Sequence, residues 1–301
     1  MVGRVRRGRR QPMQELVLLV ERPVRDLLPG SRDERAEASG VLALDGQLLV
    51  IFDDSTAIAI VDEDLSRTAT NRVVFPEPKL AQDGYAGAGY EDIARDPGSG
   101  RIYLLVESVR RGQRLLPRVE IIEADFRRHS QSFLDFAVES DNKGMEGLTC
   151  VSRAGELTLV ALCEGNRCRG GREGERPGGG RLQLFRPAAD TCEHLATVRL
   201  PSRVPFIDYS SLAVHGDRIA VLSQQSSALW VGAFRPGSWE FADHGTCYHL
   251  PRDANGRIQY GTAEGVTWLA GDRLAIVSDR APRSAPRWRT KHRSVHIFAL
   301  P

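Results

Sequence analysis

Apolar residues occur in this chain as short runs, each ended by a tight turn and followed by a second apolar run. The arrangement recurs in five phrases, and no long helical periodicity competes with it. The phrases are ASGVLALDGQLLVIFDDS from Ala38, YEDIARDPGSGRIYLLVES from Tyr90, MEGLTCVSRAGELTLVALCEGN from Met145, YSSLAVHGDRIAVLSQQS from Tyr209 and AEGVTWLAGDRLAIVSDRA from Ala263. Each phrase predicts two antiparallel strands joined by a hairpin.

The spacing of the phrases is typical of a β-propeller. The polar residue that opens each first strand is followed by the next such residue after 52, 55, 64 and 54 positions, and the longest interval contains the insertion GNRCRGGREGERPGGG. Repeats of roughly 40–50 residues built from turn-linked short strands are characteristic of propeller blades. Weaker strands such as TAIAIVD and RLQLFRP follow the phrases. We predict an all-β fold, a single propeller of five blades, with six blades as the alternative count.

The fragment ELVLLVERP (residues 15–23) precedes the first phrase and has no partner of its own. If it pairs as the outer strand of the last blade, it closes the ring and covers an exposed sheet edge. The sequence thus divides into a basic tail at residues 1–13, expected to be disordered, and a propeller domain at residues 14–301.

Composition narrows the class of protein. Hydrophobic residues make up 41% and charged residues 27% of the 301 residues, which is typical of a soluble globular domain. The formal net charge of +2 gives no support for nucleic acid as a partner, although the Arg cluster of the tail could touch it. No apolar run approaches the roughly 18 residues of a membrane helix, and no signal peptide is evident. We expect a cytoplasmic monomer. The odd count of five cysteines predicts reduced thiols rather than a disulfide framework.

Acidic residues recur at corresponding positions of the five phrases. In a propeller the first strand of each blade lines the channel, so the start of that strand and the end of its antiparallel partner lie at the same channel mouth. The first position is occupied by Ser39, Glu91, Glu146, Ser210 and Glu264, and the second by Asp53, Glu107, Glu164, Gln224 and Asp279. Up to seven carboxylates would therefore converge and raise one another's pKa.

Such a cluster is commonly neutralised by a cation. Oxygen donors without a His or Cys pattern favour a hard ion, Ca²⁺ before Mg²⁺. The alternative is that these residues cap strand ends and pair with backbone amides or arginines. We assign metal binding to Glu91, Glu146, Glu264 and Asp53, and a catalytic role to Glu107, Glu164 and Asp279.

Cationic residues follow the second strands at the same mouth. Together with a carboxylate-bound ion, such residues could hold a small anionic ligand. The predicted ligand-binding residues are Lys143, Arg110, Arg167, Arg280 and Gln224. The alternative interpretation is a set of solvated arginines in an arginine-rich protein.

Four segments resemble the SdiA-regulated family of bacterial propellers and its relatives with a phytase-like, or esterase-like, domain. These segments are NKGMEGL, DYSSLAVHGDRIAVLSQQS, AEGVTWLAGDRLAIVSD and YEDIARDPGSGRIYLLVE. The resemblance implies a propeller with a calcium ion near the hub, bound by the glutamates of the EG phrases. Glu146 and Glu264 match best, and Glu91 matches with Asp92 in place of the usual Gly. Ser39 and Ser210 are not carboxylates.

Two functions are consistent with these observations. The first is a metal-dependent hydrolase of a small anionic ester, a phosphoester or lactone, with a hub carboxylate as general base. The second is a non-catalytic propeller that binds a ligand or a protein partner and carries a structural metal ion. Architecture alone does not choose between them.

Overall fold

The computed structural model describes residues 13–29, 37–76, 89–139 and 144–301. Nearly all of the predicted basic tail and the predicted ligand-binding residue Lys143 lie outside these ranges, as does the side chain of Glu107. Within the described residues, no helix is long and apolar enough to cross a membrane.

Strands make up 53% of the structure and helices 4%. The strands before the third phrase are β1 Gln14–Glu15, β2 Val17–Pro23, β3 Ala38–Leu44, β4 Gln47–Phe52, β5 Ser55–Asp62, β6 Arg72–Val74, β7 Tyr90–Arg95, β8 Ile102–Arg111, β9 Arg114–Ile122 and β10 Arg128–Leu134. The later strands are β11 Met145–Arg153, β12 Glu156–Cys163, β13 Arg181–Arg186, β14 Thr191–Arg199, β15 Ser211–His215, β16 Arg218–Ser223, β17 Ala228–Ala233, β18 Thr246–His249, β19 Ala263–Leu269, β20 Arg273–Ser278 and β21 Ser294–Ala299. The helices are single turns, α1 Val24–Leu27, α2 Gly171–Gly174 and a 3₁₀ turn at Asn166–Cys168.

Strand β1 pairs in parallel with β18, and the other twenty strands group into five antiparallel units of four, numbered here in chain order. Unit one is β3-β4-β5-β6, unit two β7-β8-β9-β10, unit three β11-β12-β13-β14, unit four β15-β16-β17-β18, and unit five β19-β20-β21-β2. Each phrase supplies the first two strands of its unit, as the pattern predicts. In three units the phrase turn is a pair of residues with positive φ, for example Asp45 (51°) and Gly46 (77°), which suits the twist of a two-residue hairpin.

The expected pairing of the N-terminal fragment is observed. Strand β2 runs antiparallel to β21, with Val17 opposite Ala299 and Pro23 opposite Ser294. It is the outer strand of unit five, so the two ends of the described chain share one sheet.

Five apolar clusters hold neighbouring units together. The first packs unit one against unit five, through residues such as Val41 and Val277. The others lie between units one and two, two and three, three and four, and four and five. Every unit thus packs on the next and the last packs on the first, which places the first strands β3, β7, β11, β15 and β19 side by side at the centre.

Two features depart from a simple repeat. Strands β10 and β14 form a short parallel pairing, which joins units two and three into one eight-stranded sheet. Cys163 and Cys168 form a disulfide, while Cys150, Cys192 and Cys247 are free. The prediction of reduced thiols is therefore wrong for this pair, because the turn at residues 166–168 folds the chain back and brings the two sulfurs together.

Candidate functional site: carboxylates at the hub

The opening residue of the phrase lies in a β-bulge. In four units the register between the first two strands shifts across one residue, and the residues skipped are Ser39, Glu91, Glu146 and Glu264. A bulge takes a residue out of the ladder and re-aims its side chain. The recurrent polar position of the phrases therefore coincides with a β-bulge, and the bulge directs the glutamate side chains away from the faces of the sheet.

The small residue after the bulge is required by close packing of the first strands. A Cβ on Gly265 would lie 2.8 Å from the Cα of Gly40, and a Cβ on Gly147 would lie 2.6 Å from a methyl of Leu212. A side chain at either position would overlap the neighbouring unit. The Gly of the EG phrases therefore allows the units to meet at the centre, which in turn brings their glutamates together.

Asp92 occupies this position in unit two and has a different role. Its buried carboxyl accepts hydrogen bonds from the backbone N–H of Leu148 (2.9 Å) and Ile93 (2.9 Å) and from the Ser211 hydroxyl (3.0 Å). Burial raises its pKa well above the usual range. Asp92 thus ties unit two to units three and four. Sequence reasoning treated it only as a departure from Gly, although a polar Ser211 at the matching position of unit four was a signal for such a contact.

The two predicted columns do lie at one end of the units. The backbone N–H of Asp53, Glu164 and Asp279 donates to the carbonyl of Glu37, Gly144 and Thr262 respectively, at 2.9, 3.2 and 2.8 Å. Each of these carbonyls stands just before the first strand of the same unit. The end of the second strand is thereby fixed beside the start of the first, as antiparallel pairing predicts.

Glu146 is the centre of the acidic cluster. Burial raises its pKa well above the usual range, and the carboxylates of Glu91, Glu164 and Glu264 raise it further. Its side chain is also hydrogen-bonded to that of Glu91, which requires a shared proton. Glutamates from units two, three and five therefore meet here; we call Glu91, Glu146, Glu164 and Glu264 the hub cluster.

Glu264 and Asp279 form the side of the cluster that belongs to unit five. Burial, followed by the charges of Asp279, Asp208, Glu164 and Asp53, raises the pKa of Glu264 to about 8. The Gln224 side-chain amide donates a hydrogen bond to it. Burial is also the main reason that the pKa of Asp279 rises to about 6. Near neutral pH, Glu264 is mostly protonated and Asp279 mostly ionised.

The serines of the first column do not join the cluster. The Ser39 hydroxyl donates to the carbonyl of Tyr90 at 2.5 Å, and the Ser210 hydroxyl donates to the carbonyl of Ala263 at 3.0 Å. Each acceptor is the residue just before the glutamate of the next unit. The serines therefore hold neighbouring units in register.

Two further acids lie near the mouth but are less involved. Asp53, a predicted metal ligand, keeps contact with solvent, and partial desolvation followed by the charges of Glu37 and Asp54 raises its pKa. Asp208 is buried and accepts from the Ser223 hydroxyl and from the backbone N–H of Gln225, which stabilises the loop after β16.

The predicted anion-binding arginines are not gathered into one site. Arg280 pairs with Glu37 at 2.5 Å. Arg167 is exposed and has a positive φ of 59°. Arg110 is exposed on the extension of the β8–β9 hairpin beyond Glu107. Their roles, like those of the hub residues, stay predictions.

The hub cluster offers carboxylate oxygens, which are the donors that hard metal ions prefer. These carboxylates are partly buried and repel one another, and a bound cation would reduce that repulsion. Among the described residues, however, no three His, Cys, Asp or Glu side chains are arranged as a ready ligand set. The donor chemistry fits a hard ion, and the side chains as placed would have to change rotamer to coordinate one.

Comparison with known proteins identifies the fold but no family. No family profile and no curated protein sequence matches the chain. Glutaminyl cyclase from Myxococcus xanthus superposes with a TM-score of 0.55 at 13% identity, over 96% of this chain and 97% of that one. The GH43_1 enzyme from Xanthomonas citri gives 0.50 at 10% identity, over 93% and 89%. The fold is that of a β-propeller. At such identities the likeness extends to architecture alone.

Proposed function

We propose that this protein is a five-bladed propeller whose hub cluster binds one hard divalent cation, Ca²⁺ before Mg²⁺. The observation that carries the proposal is the convergence of glutamates from units two, three and five on Glu146, each presented by the same backbone bulge or strand end. The same bulge or strand end presents a glutamate in several units, which supports one ligand shared by all of them.

Glu146, Glu264 and Glu91 would hold the ion, with Glu164 or Asp53 completing its oxygen shell. Calcium accepts six to eight oxygens in flexible geometry, so adjustable glutamate side chains suit it better than they suit the rigid octahedron of Mg²⁺. The sequence resemblance to the SdiA-regulated propellers supports the same ligands. The cyclic packing of five units supports the blade count.

A second candidate, hydrolysis of a small anionic ester, is favoured by one observation. Glu264 and Asp279 are neighbours whose pKa values, about 8 and about 6, lie on either side of neutrality, and such separation is typical of acid–base pairs. In this candidate Glu91 and Glu146 would hold the cation without Glu264, so that Asp279 could take a proton from the attacking water and the protonated Glu264 could donate one to the leaving oxygen. A bound cation would supply polarisation of the ester oxygen.

Cation binding is tested by metal analysis and thermal unfolding of the wild type, Glu146→Gln and the matched control Glu193→Gln. Glu193 is an exposed residue of β14, paired with Arg186 away from the hub. We expect Ca²⁺ to stabilise the wild type and the control by about 2.7 kcal/mol at a hundredfold excess over Kd, and to leave Glu146→Gln unchanged.

Glu146→Gln should also be more stable than the wild type in EDTA, because it loses the repulsion. Absence of any Ca²⁺ or Mg²⁺ effect on the wild type would remove the proposal, as would a full response in Glu146→Gln. Hydrolysis is examined separately with phosphoester and lactone substrates, with and without EDTA. Activity that persists in both EDTA and Asp279→Asn would exclude the second candidate.

A further inference from the structure

A second polar site lies beside the hub, on unit five. A cavity of about 690 Å³ opens between residues 21–26, at the end of β2 and in α1, and residues 290–294, which lead into β21. Its volume is within the roughly 300–1,000 Å³ typical of small-molecule sites. None of its lining residues belongs to the hub cluster, so the cavity is independent of the proposed cation site.

The charges of the lining are unequal. Four cationic side chains line the cavity, those of Arg22, Arg25, Lys291 and Arg293, against the two acids Glu21 and Asp26. Glu21 is paired with Lys291 and Asp26 with Arg25. The two remaining guanidiniums leave the cavity with an excess of positive charge over its own carboxylates.

Arg293 supplies the decisive observation. Its Nε is buried and, within the described part of the chain, has no hydrogen-bond partner; the same holds for Nδ1 of the neighbouring His292. A buried guanidinium N–H without an acceptor is costly. The residue as a whole is only partly buried and lines the cavity, so an anion there would offset that cost by compensating the charge of the guanidinium.

The backbone fixes Arg293 in an unusual conformation. Its φ is +53°, which non-glycine residues rarely adopt. Two hydrogen bonds hold it there: its N–H donates to the carbonyl of Asp279 at 3.0 Å, and its carbonyl accepts from Val24 N–H at 3.0 Å. Strained backbone held from both sides commonly marks a functional residue.

A buried hydrogen-bond chain fixes the floor of the cavity. The Ser278 hydroxyl lies 2.7 Å from Nε2 of His296, and Nδ1 of His296 lies 3.2 Å from a Glu21 oxygen, whose carboxylate also binds Lys291. The order Ser-His-Glu is that of a hydrolase triad. Ser278 and His296 are fully buried, however, and neither lines the cavity. The chain therefore positions Glu21 and Lys291 and presents no nucleophile.

We propose that this cavity binds a small oxyanion of the phosphate or phosphate-monoester class through Arg293, with Arg22 and Lys291 assisting. Guanidinium groups match phosphate oxygens in pairs of parallel hydrogen bonds. The anion would balance the positive excess and compensate the charge of the partly buried Arg293 guanidinium. Glu21, held by His296, keeps Lys291 at the rim.

The test is calorimetric titration of the full chain with inorganic phosphate at constant ionic strength, with chloride as the reference anion. Arg293→Gln should weaken phosphate binding by about tenfold or more, since it removes a charge-assisted pair. Arg22→Gln, at an exposed position that is safer for folding, should weaken it severalfold. The matched control Arg186→Gln, on β13 and paired with Glu193, should bind as the wild type does.

The proposal is wrong if the wild type shows no saturable phosphate binding, or if Arg293→Gln binds phosphate as tightly as the wild type. It is also wrong if Arg186→Gln loses as much affinity as Arg293→Gln, because that would indicate a general effect of net charge. The hub variant Glu146→Gln should retain phosphate affinity. The result therefore does not depend on whether the hub binds a cation.

Discussion

The hub and the outer cavity of unit five contain glutamates of opposite character. At the hub, Glu146 and Glu264 face other carboxylates, and burial with like charge raises the pKa of Glu264 to about 8. In the cavity, Glu21 faces His296 and Lys291, and these partners lower its pKa to about 2. The sites are joined through Asp279, whose carbonyl accepts from Arg293. The partners that surround a carboxylate, more than its position in the fold, decide whether its charge is tolerated.

The charges at the two sites predict the charge of the ligand that each would bind. A cluster whose own charges repel gains from a cation, because each carboxylate is attracted to the ion and this attraction offsets the repulsion among the carboxylates. A cavity whose acids are already paired and whose arginines are in excess gains from an anion. The two proposed sites would therefore bind ligands of opposite charge.

The largest effect is expected from Glu264→Gln in EDTA. Because the folded pKa of about 8 exceeds the usual 4.5, ionisation favours the unfolded chain. Stability is greatest below about pH 4.5, falls as the pH rises, and is lowest above about pH 8. The shift corresponds to roughly 5 kcal/mol, so the free energy of unfolding of the variant should exceed that of the wild type by up to that amount at alkaline pH.

Urea unfolding of both proteins across this pH range measures the difference, with Glu193→Gln as the control that should follow the wild type. The Gln side chain can still accept the hydrogen bond from Gln224, so packing is retained. A variant less stable than the wild type at alkaline pH would show that Glu264 is compensated by a partner, and the contrast with Glu21 would disappear.

The fold could be predicted from the sequence further than the site could. The apolar phrases and their turns predict the strand pairs and the pairing of residues 15–23 with the last unit, because alternation and turn chemistry are local. The bulges at Glu91 and Glu146 could not be predicted, since a register shift depends on the facing strand. The convergence of acids was predicted from the repeat, whereas the proton shared by Glu91 and Glu146 depends on side-chain placement.

The outer cavity was missed for a different reason. Glu21 and His296 lie on strands from opposite ends of the chain, and a register shift between Leu18 and Val20 changes which side chains of β2 face β21. The Cys163–Cys168 disulfide was missed because an odd cysteine count gives no pairing. The predicted cytoplasmic location stays a prediction.

An intermediate effect is expected from Asp92→Ala, which sharpens the comparison within the hub. Burial raises the pKa of Asp92 as it does that of Glu146, but Asp92 is surrounded by donors instead of carboxylates. Truncation would leave the Leu148 and Ile93 N–H groups buried without an acceptor, so we expect a loss of about 3 kcal/mol. Denaturant unfolding measures it, with exposed Asp54→Ala as the control, expected within about 0.5 kcal/mol of the wild type. A loss below that margin would mean that water replaces the carboxyl.

The smallest effect is expected from Glu21→Gln, and its sign is opposite to that of Glu264→Gln. The folded pKa of about 2 lies below the usual 4.5, so the stabilisation is present above about pH 4.5 and is lost as the pH falls towards 2. The Glu21 side chain is 31% exposed, so solvent screens part of the pairing, and a loss of about 1 kcal/mol at neutral pH is expected. Unfolding at neutral pH and near pH 3 measures it, because the gap between variant and wild type should narrow in acid. If the difference in free energy of unfolding between variant and wild type is unchanged in acid, the loss comes from packing against His296. The argument that charge pairing orders the cavity would then rest on Arg293 alone.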